Sequence, residues 1–244
     1  MSRRMFGATN GAPDATPVVV AARRTWVGTA GHGHRALTEV DLAAAALRAT
    51  LDDARAHGVD GDVADVVLGC CTGPGGDVAR VAALAAGAGV GVPGLTVDRQ
   101  CASGLAAVLV AAQQVRAGEA ALVLAGGTES ATRSPARAHR TPWGDVPYAR
   151  AAFAPVPWAD PGMGAAADEL ARRRGVTRER QEAYAVRSHA RARAAHDAGR
   201  FAAETVRVGP PGRALERDER ARRLAPAVVG RRSPGFGAGG PVAG

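Results

Sequence analysis

An α/β fold, a sheet with helices on its faces, is what the sequence predicts, and three observations predict it. Between residues 17 and 127, short apolar runs rich in Val and Leu alternate with longer Ala-rich stretches of helical spacing. These stretches close on glycines, as helices do at their C-termini. Of the 244 residues, 46% are hydrophobic but only 4% aromatic. That is enough apolar surface for a sizeable core, one assembled from Ala, Val and Leu.

Taken in order, residues 1–16 are polar and Gly/Ala-rich and are expected to form a flexible tail. Pro17–Ala22 is a short β-branched run and predicts a buried strand. A Gly/His-rich loop follows over Gly28–Arg35. Asp41–His57 then predicts a helix, since Leu42, Ala45, Ala46, Ala49 and Leu51 share a face and Gly58 closes it. Val63–Gly69 predicts a second strand. The Cys70–Gly76 turn follows it, with Asp77 placed to cap a helix reaching about Ala88. Leu95–Asp98 is a third strand, Ala102–Arg116 a long helix stopped by Gly118, and Ala121–Ala125 a fourth strand. After Gly127 the pattern changes. Residues 128–161 hold six prolines and predict loop. Helices are predicted over Met163–Arg174 and Thr177–Gly199, and a short strand over Glu204–Val208.

Charge divides the chain in two. The net charge is +8 and every basic residue is Arg. Through Asp160, fourteen arginines meet fourteen acids; from Asp168 onward, seventeen meet nine. Such a segment is either a set of solvated helix faces or a surface for a polyanion. Nucleic acid is disfavoured, because the segment has neither zinc-ligand spacing nor the aromatics of an RNA-stacking sheet. No apolar stretch is long enough for a membrane span, and the apolar run near the start is too short for a signal peptide. Three cysteines make neither a disulfide framework nor a metal site. A cytoplasmic protein with reduced thiols and no metal is the expectation.

Cys101 stands where a strand gives way to a helix. There the unsatisfied N–H groups of the first helical turn and the positive end of the dipole favour a thiolate. A cysteine so placed is either a nucleophile or a small buried hydrophobe, and placement alone leaves both open. Cys70 and Cys71 lie in a glycine-rich turn and are read as structural. The Gly73–Gly76 segment lacks a P-loop lysine and reads as a tight turn. No histidine has metal-like spacing, and His189 within a helix points to packing or hydrogen bonding.

Four ordered motifs resemble the thiolase family. Thr96-Val-Asp-Arg-Gln-Cys-Ala-Ser-Gly-Leu105 is similar to its nucleophile motif, and Ala125-Gly-Gly-Thr-Glu-Ser130 to the strand and turn that follow. Met163-Gly-Ala-Ala-Ala-Asp168 and Arg178–His189 resemble its inserted loop domain, and Val18–Arg24 fits its first strand. The resemblance implies the first half of a thiolase-like layered α/β fold with an inserted helical loop domain. Its boundaries would be a tail at 1–16, an α/β domain carrying the nucleophile at 17–127, a CoA-contacting loop domain at 128–232 and a Gly/Pro-rich end at 233–244.

The resemblance also implies acyl transfer between CoA thioesters, with Cys101 as the acylated nucleophile and Met163, Arg213 and Arg220 near CoA. The acyl-CoA is a substrate, and no cofactor is implied. Family members generally carry Asn where Asp98 stands, and many carry His where Gly162 stands. The family's second half brings a base His, an oxyanion Asn and a second Cys, none with a counterpart here. The chain is therefore expected to be inactive alone and to act within a homo-oligomer or with a completing second chain. A non-catalytic acyl-CoA-binding subunit is the alternative. The loop-domain motifs disfavour a ketoacyl synthase.

Overall fold

The computed structural model describes residues 16–210, 212–225, 229–231, 233, 235–236 and 240–242. The expected tail lies outside them apart from Thr16, as do parts of the segment after Val208. The chain divides into two compact units, residues 1–135 with 203–217, and residues 136–202 with 218–244.

The first unit is built on a three-stranded parallel sheet. Its strands are β2 (Asp65–Gly69), β3 (Gly94–Val97) and β4 (Val123–Gly127), with β2 in the centre. Both faces of β2 are covered, which explains the continuous apolar run Val66-Val67-Leu68 in place of an alternating pattern. Val66 and Leu68 point to one side, into a core shared with Leu124 of β4. Helices α1 (Glu39–Ala56) and α2 (Val78–Ala86) supply Ala43, Leu47, Leu51, Ala79, Ala82 and Ala83 to the same core. Val67 and Gly69 take the opposite side, where helix α3 (Ser103–Arg116) lies against the backbone of Gly69.

Helices α1 and α2 each start at a side chain that replaces the missing turn. Thr38 and Asp41 cap α1 reciprocally: the Asp41 amide donates to Thr38 Oγ1 at 3.1 Å, and the Thr38 amide to Asp41 Oδ2 at 2.9 Å. Asp77 Oδ1 caps α2 through the Arg80 amide at 3.2 Å. The same oxygen accepts from Thr96 Oγ1 at 2.8 Å, which fixes α2 to β3.

The expected strand at Pro17–Ala22 is a correction. The strand is β1, Arg24–Thr25, and it pairs in parallel with β7, Thr205–Val206. Val18 and Val19 are 74% and 80% exposed, and among the described residues no strand pairs with them. β-Branched composition marks a strand only where a ladder partner and a buried face are supplied. Ion pairs hold the β1 end, Arg24 to Glu204 at 2.9 Å and Arg23 to Asp53 at 2.7 Å.

The second unit contains the hairpin β5 (Arg137–Thr141) and β6 (Gly144–Tyr148), then α4 (Met163–Arg174) and α5 (Arg178–Asp197). Both helices fall where the sequence predicts, and Thr177 caps α5. The hairpin replaces an expected loop. Its strands are almost wholly solvated, so no period-two apolar pattern announces them. Helix α5 buries no residue among those described, and Arg178 pairs with Glu182 along it.

Candidate active site

The loops at the C-terminal ends of β2, β3 and β4 form one hydrogen-bonded cluster, and Cys101 stands in it. β3 ends at Val97, and six residues later α3 begins. The connection is tight because Gln100 takes the left-handed backbone conformation, φ 52°, the one non-glycine residue to do so among those described. That conformation costs about 1–3 kcal/mol and persists only where neighbours over-determine it. Ser103 is the neighbour that does so. Its side chain is buried, its Oγ accepts the Arg99 amide at 2.7 Å, and it donates to the Gln100 carbonyl at 2.6 Å. The turn thus delivers Cys101 to solvent immediately ahead of the first turn of α3.

Glycines bring that helix terminus to the sheet. A Cβ on Gly69 would overlap the backbone of Ser103 and Gly104, and one on Gly127 would stand 3.1 Å from Gly104 Cα. Gly69 and Gly127 are register partners on adjacent strands. A flat, side-chain-free step therefore runs across two strands beneath the Cys101 turn, which is how α3 approaches so closely.

Glu129 ties the other two loops together. It accepts the Cys71 and Thr72 amides, each at 3.0 Å, and the Thr72 hydroxyl. The Cys70 thiol also donates to it, at 3.5 Å. Burial pushes the Glu129 pKa up, but the Thr72 hydroxyl and the two amides outweigh it, and the carboxyl sits below its ordinary value. Thr128 and Ser130, on either side, donate to the carbonyls of Glu39 and Leu37 at 2.7 and 2.8 Å. Burial, then the Glu129 charge, push the Cys70 thiol up to about 11. Cys70 is buried and turned toward Glu129. Cys71 is not remote from the site: its Sγ donates to the Gln100 carbonyl at 3.3 Å and lies 3.7 Å from Ser103 Oγ.

The other residues predicted to meet CoA are all exposed. Met163 opens α4 and Arg220 lies in a turn, both in the second unit, whereas Arg213 lies in a turn of the first. His34 Nε2 bonds the Trp26 carbonyl at 2.9 Å and His57 Nδ1 the Asp53 carbonyl at 2.8 Å, so neither is directed to the thiol. His189 Nδ1 accepts the Arg222 amide at 3.0 Å, the hydrogen-bonding role the sequence suggests. A cavity of about 220 Å³ beside Glu129 is lined by Trp26, His34 and Leu42 and does not include Cys101. Among the described residues no cluster suits a metal ion, and no helix is long and apolar enough to cross a membrane. Ser103 and Glu129 are what sequence reasoning missed. Both stood inside motifs of the sequence, but only the fold shows that Ser103 holds the Cys101 turn and Glu129 the Cys71–Thr72 loop.

The α/β sheet thus presents an exposed cysteine at a strand-to-helix junction, above a step of glycines. The chain belongs to the thiolase family: the model of the thiolase N-terminal domain matches residues 17–229. It is 38% identical over 221 residues to YhfS of Bacillus subtilis (strain 168), named provisionally as an acetyl-CoA C-acetyltransferase, covering 90% of this chain and 55% of that protein. It is 37% identical over 195 residues to the 3-ketoacyl-CoA thiolase of the same organism, covering 78% and 48%. The crystal structure of the Bacillus anthracis acetyl-CoA acetyltransferase superposes with a TM-score of 0.83 at 31% identity, over 95% of this chain and 62% of that one. The fold is the N-terminal half of a thiolase, and the chain spans about half the length of the curated relatives it matches.

Proposed function

We propose that this chain carries the acyl-accepting part of a thiolase-type acyltransferase, with Cys101 as the nucleophile. The observation that carries the reading is the placement of Cys101: exposed, ahead of a helix N-terminus, on a turn pinned by Ser103. The Cys101 sulfur attacks the carbonyl carbon of an acyl-CoA thioester, the new S–C bond forms, and the CoA sulfur leaves and takes up the proton. The enzyme thioester then passes its acyl group to a second CoA-bound partner, in thiolysis or in Claisen condensation. CoA enters as substrate, held by Met163, Arg213 and Arg220, and the arginine excess after Asp168 suits its phosphates.

The base, the oxyanion asparagine and the second cysteine that the family resemblance assigns to a second half are not among these residues. General acid–base assistance contributes about 10²–10⁴-fold, and an oxyanion donor about 10²–10³-fold. The chain by itself therefore undergoes slow acylation, and full turnover needs those groups from a completing chain or segment.

Intact-protein mass spectrometry after incubation with acetyl-CoA tests this. One acetyl group on the wild type and none on Cys101→Ala supports the reading. A folded chain that retains acetyl-CoA through gel filtration but gains no acetyl group would make it a binding subunit.

A further inference from the structure

We propose that Cys71 is a resolving thiol for Cys101, so that oxidation of this chain closes a reversible Cys71–Cys101 disulfide and does not destroy the nucleophile. The inference rests on the geometry of the turn and not on acyl transfer, so it survives or fails independently of the function proposed above.

The starting observation is the 3.3 Å contact from Cys71 Sγ to the Gln100 carbonyl oxygen. That carbonyl belongs to the peptide that joins Gln100 to Cys101. In a trans peptide the oxygen and the following Cα are about 2.8 Å apart, so Cys71 Sγ lies within about 6 Å of Cys101 Cα. A disulfide needs its two Cα atoms about 4.4–6.8 Å apart. Closing the bond asks Cys101 to rotate about χ1 and the Cys71 loop to shift by at most about 2 Å. Cys101 is exposed. The loop turns at Gly75 and Gly76, both at positive φ, and its Cys71 and Thr72 amides stay on Glu129 while the Cys71 side chain rotates. Cys70 is no competitor: it is buried, directed at Glu129, and pushed up to about 11.

The chemistry balances with a peroxide as oxidant. The Cys101 sulfur attacks hydrogen peroxide and becomes a sulfenic acid, and water leaves once the second peroxide oxygen is protonated. The Cys71 sulfur then displaces the sulfenic hydroxyl as a second water, forming the S–S bond. Two thiols are oxidised by two electrons and one peroxide is reduced to two waters. Without a resolving thiol the sulfenic acid meets further peroxide and proceeds to the irreversible sulfinic acid.

The test is oxidation of the full chain with hydrogen peroxide, then alkylation of remaining thiols, tryptic digestion and mass spectrometry. The expected product joins the peptide Ala56–Arg80 to the peptide Gln100–Arg116, with loss of two hydrogens, and dithiothreitol separates them. That product persists in Cys70→Ser and is lost in Cys71→Ser, which accumulates about tenfold more Cys101 sulfinic acid than the wild type. Three results overturn the proposal: a Cys70–Cys71 bond, a Cys101–Cys101 bond between two molecules, or equal sulfinic acid in wild type and Cys71→Ser. A parallel oxidation in guanidinium guards against chance pairing. If the native pattern matches the denatured one, the folded turn does not direct the bond and the proposal also fails.

Discussion

Replacing Ser103 by alanine removes one oxygen and tests how the Cys101 turn is held. The Ser103 hydroxyl accepts the Arg99 amide at 2.7 Å and donates to the Gln100 carbonyl at 2.6 Å. The two losses are unequal. The Gln100 carbonyl keeps the Ser103 amide at 3.0 Å and the Cys71 thiol at 3.3 Å, whereas the Arg99 amide loses the acceptor that holds it. One half-buried donor left without a partner costs about 1–3 kcal/mol, and the Gln100 carbonyl, which keeps two donors, adds little. The left-handed Gln100 costs a similar amount, about 1–3 kcal/mol, so the variant turn has lost what offsets its strain. In a chain of this size 1 kcal/mol corresponds to about 2–4 °C, and the expected fall in Tm is about 2–12 °C. Iodoacetamide kinetics at Cys101 report the turn separately from global stability. The expected result is a changed alkylation rate, restored by Ser103→Thr, which keeps the hydroxyl. If Ser103→Ala melts with the wild type and Cys101 alkylates at the same rate, the turn is held by something else and this account of it is wrong.

Gly69→Ala places a methyl group on the backbone of Ser103 and Gly104. A loss at or above the upper end of the usual 1–3 kcal/mol for overpacking is expected in chemical denaturation, and Ala at Gly126, which meets only Leu68, costs less. The Cys70 thiol ionises at about 11, raised from its ordinary 9.0 by burial and the Glu129 charge. Its contribution is therefore fully present below about pH 9 and is lost as the pH rises through 11, a span of about 2–3 kcal/mol. Cys70→Ala should flatten that alkaline limb of the stability curve, and an unchanged limb would contradict the assignment. Glu129 behaves in the opposite sense. Its folded pKa is depressed, so its contribution is present above its ordinary carboxyl value and is lost as the pH falls through the folded one. Acid titrations of wild type and Glu129→Gln should diverge above that range and converge below it. Trp143, 93% exposed at the hairpin tip, should tolerate Ser within about 0.5 kcal/mol by the same denaturation assay.

Periodicity was enough to locate α1 to α4 and the strands of the three-stranded sheet, because each buries a face whose spacing is written in its own residues, whereas α5 buries none and was marked by its Thr177 cap. Pro17–Ala22 misled for the complementary reason: valines make a strand only beside a partner, and the partner is a property of distant chain. The hairpin at 137–148 was silent because solvated strands need no apolar alternation. At the site, Cys101 was legible from its junction. Ser103, Cys71 and Glu129 were not, since their meaning lies in which carbonyl or amide each one faces. Helix α1 began two residues earlier than expected, at Glu39, because the Thr38–Asp41 cap uses a shorter acid than the usual Glu or Gln.

The Glu129 contacts also set an order of events. The amides of Cys71 and Thr72 find their acceptor 58 and 57 residues further along the chain. Central strand β2 likewise gains its second neighbour only when β4 arrives, with α2, β3 and α3 between them. Closing so long a loop is slow, and nothing local substitutes for it. During synthesis the Cys101 turn thus emerges while Cys71 and Thr72 still await Glu129. A chain ending just before residue 129 would already carry Cys70, Cys71 and Cys101, but not the carboxylate that accepts from the thiol of the first and holds the amide of the second.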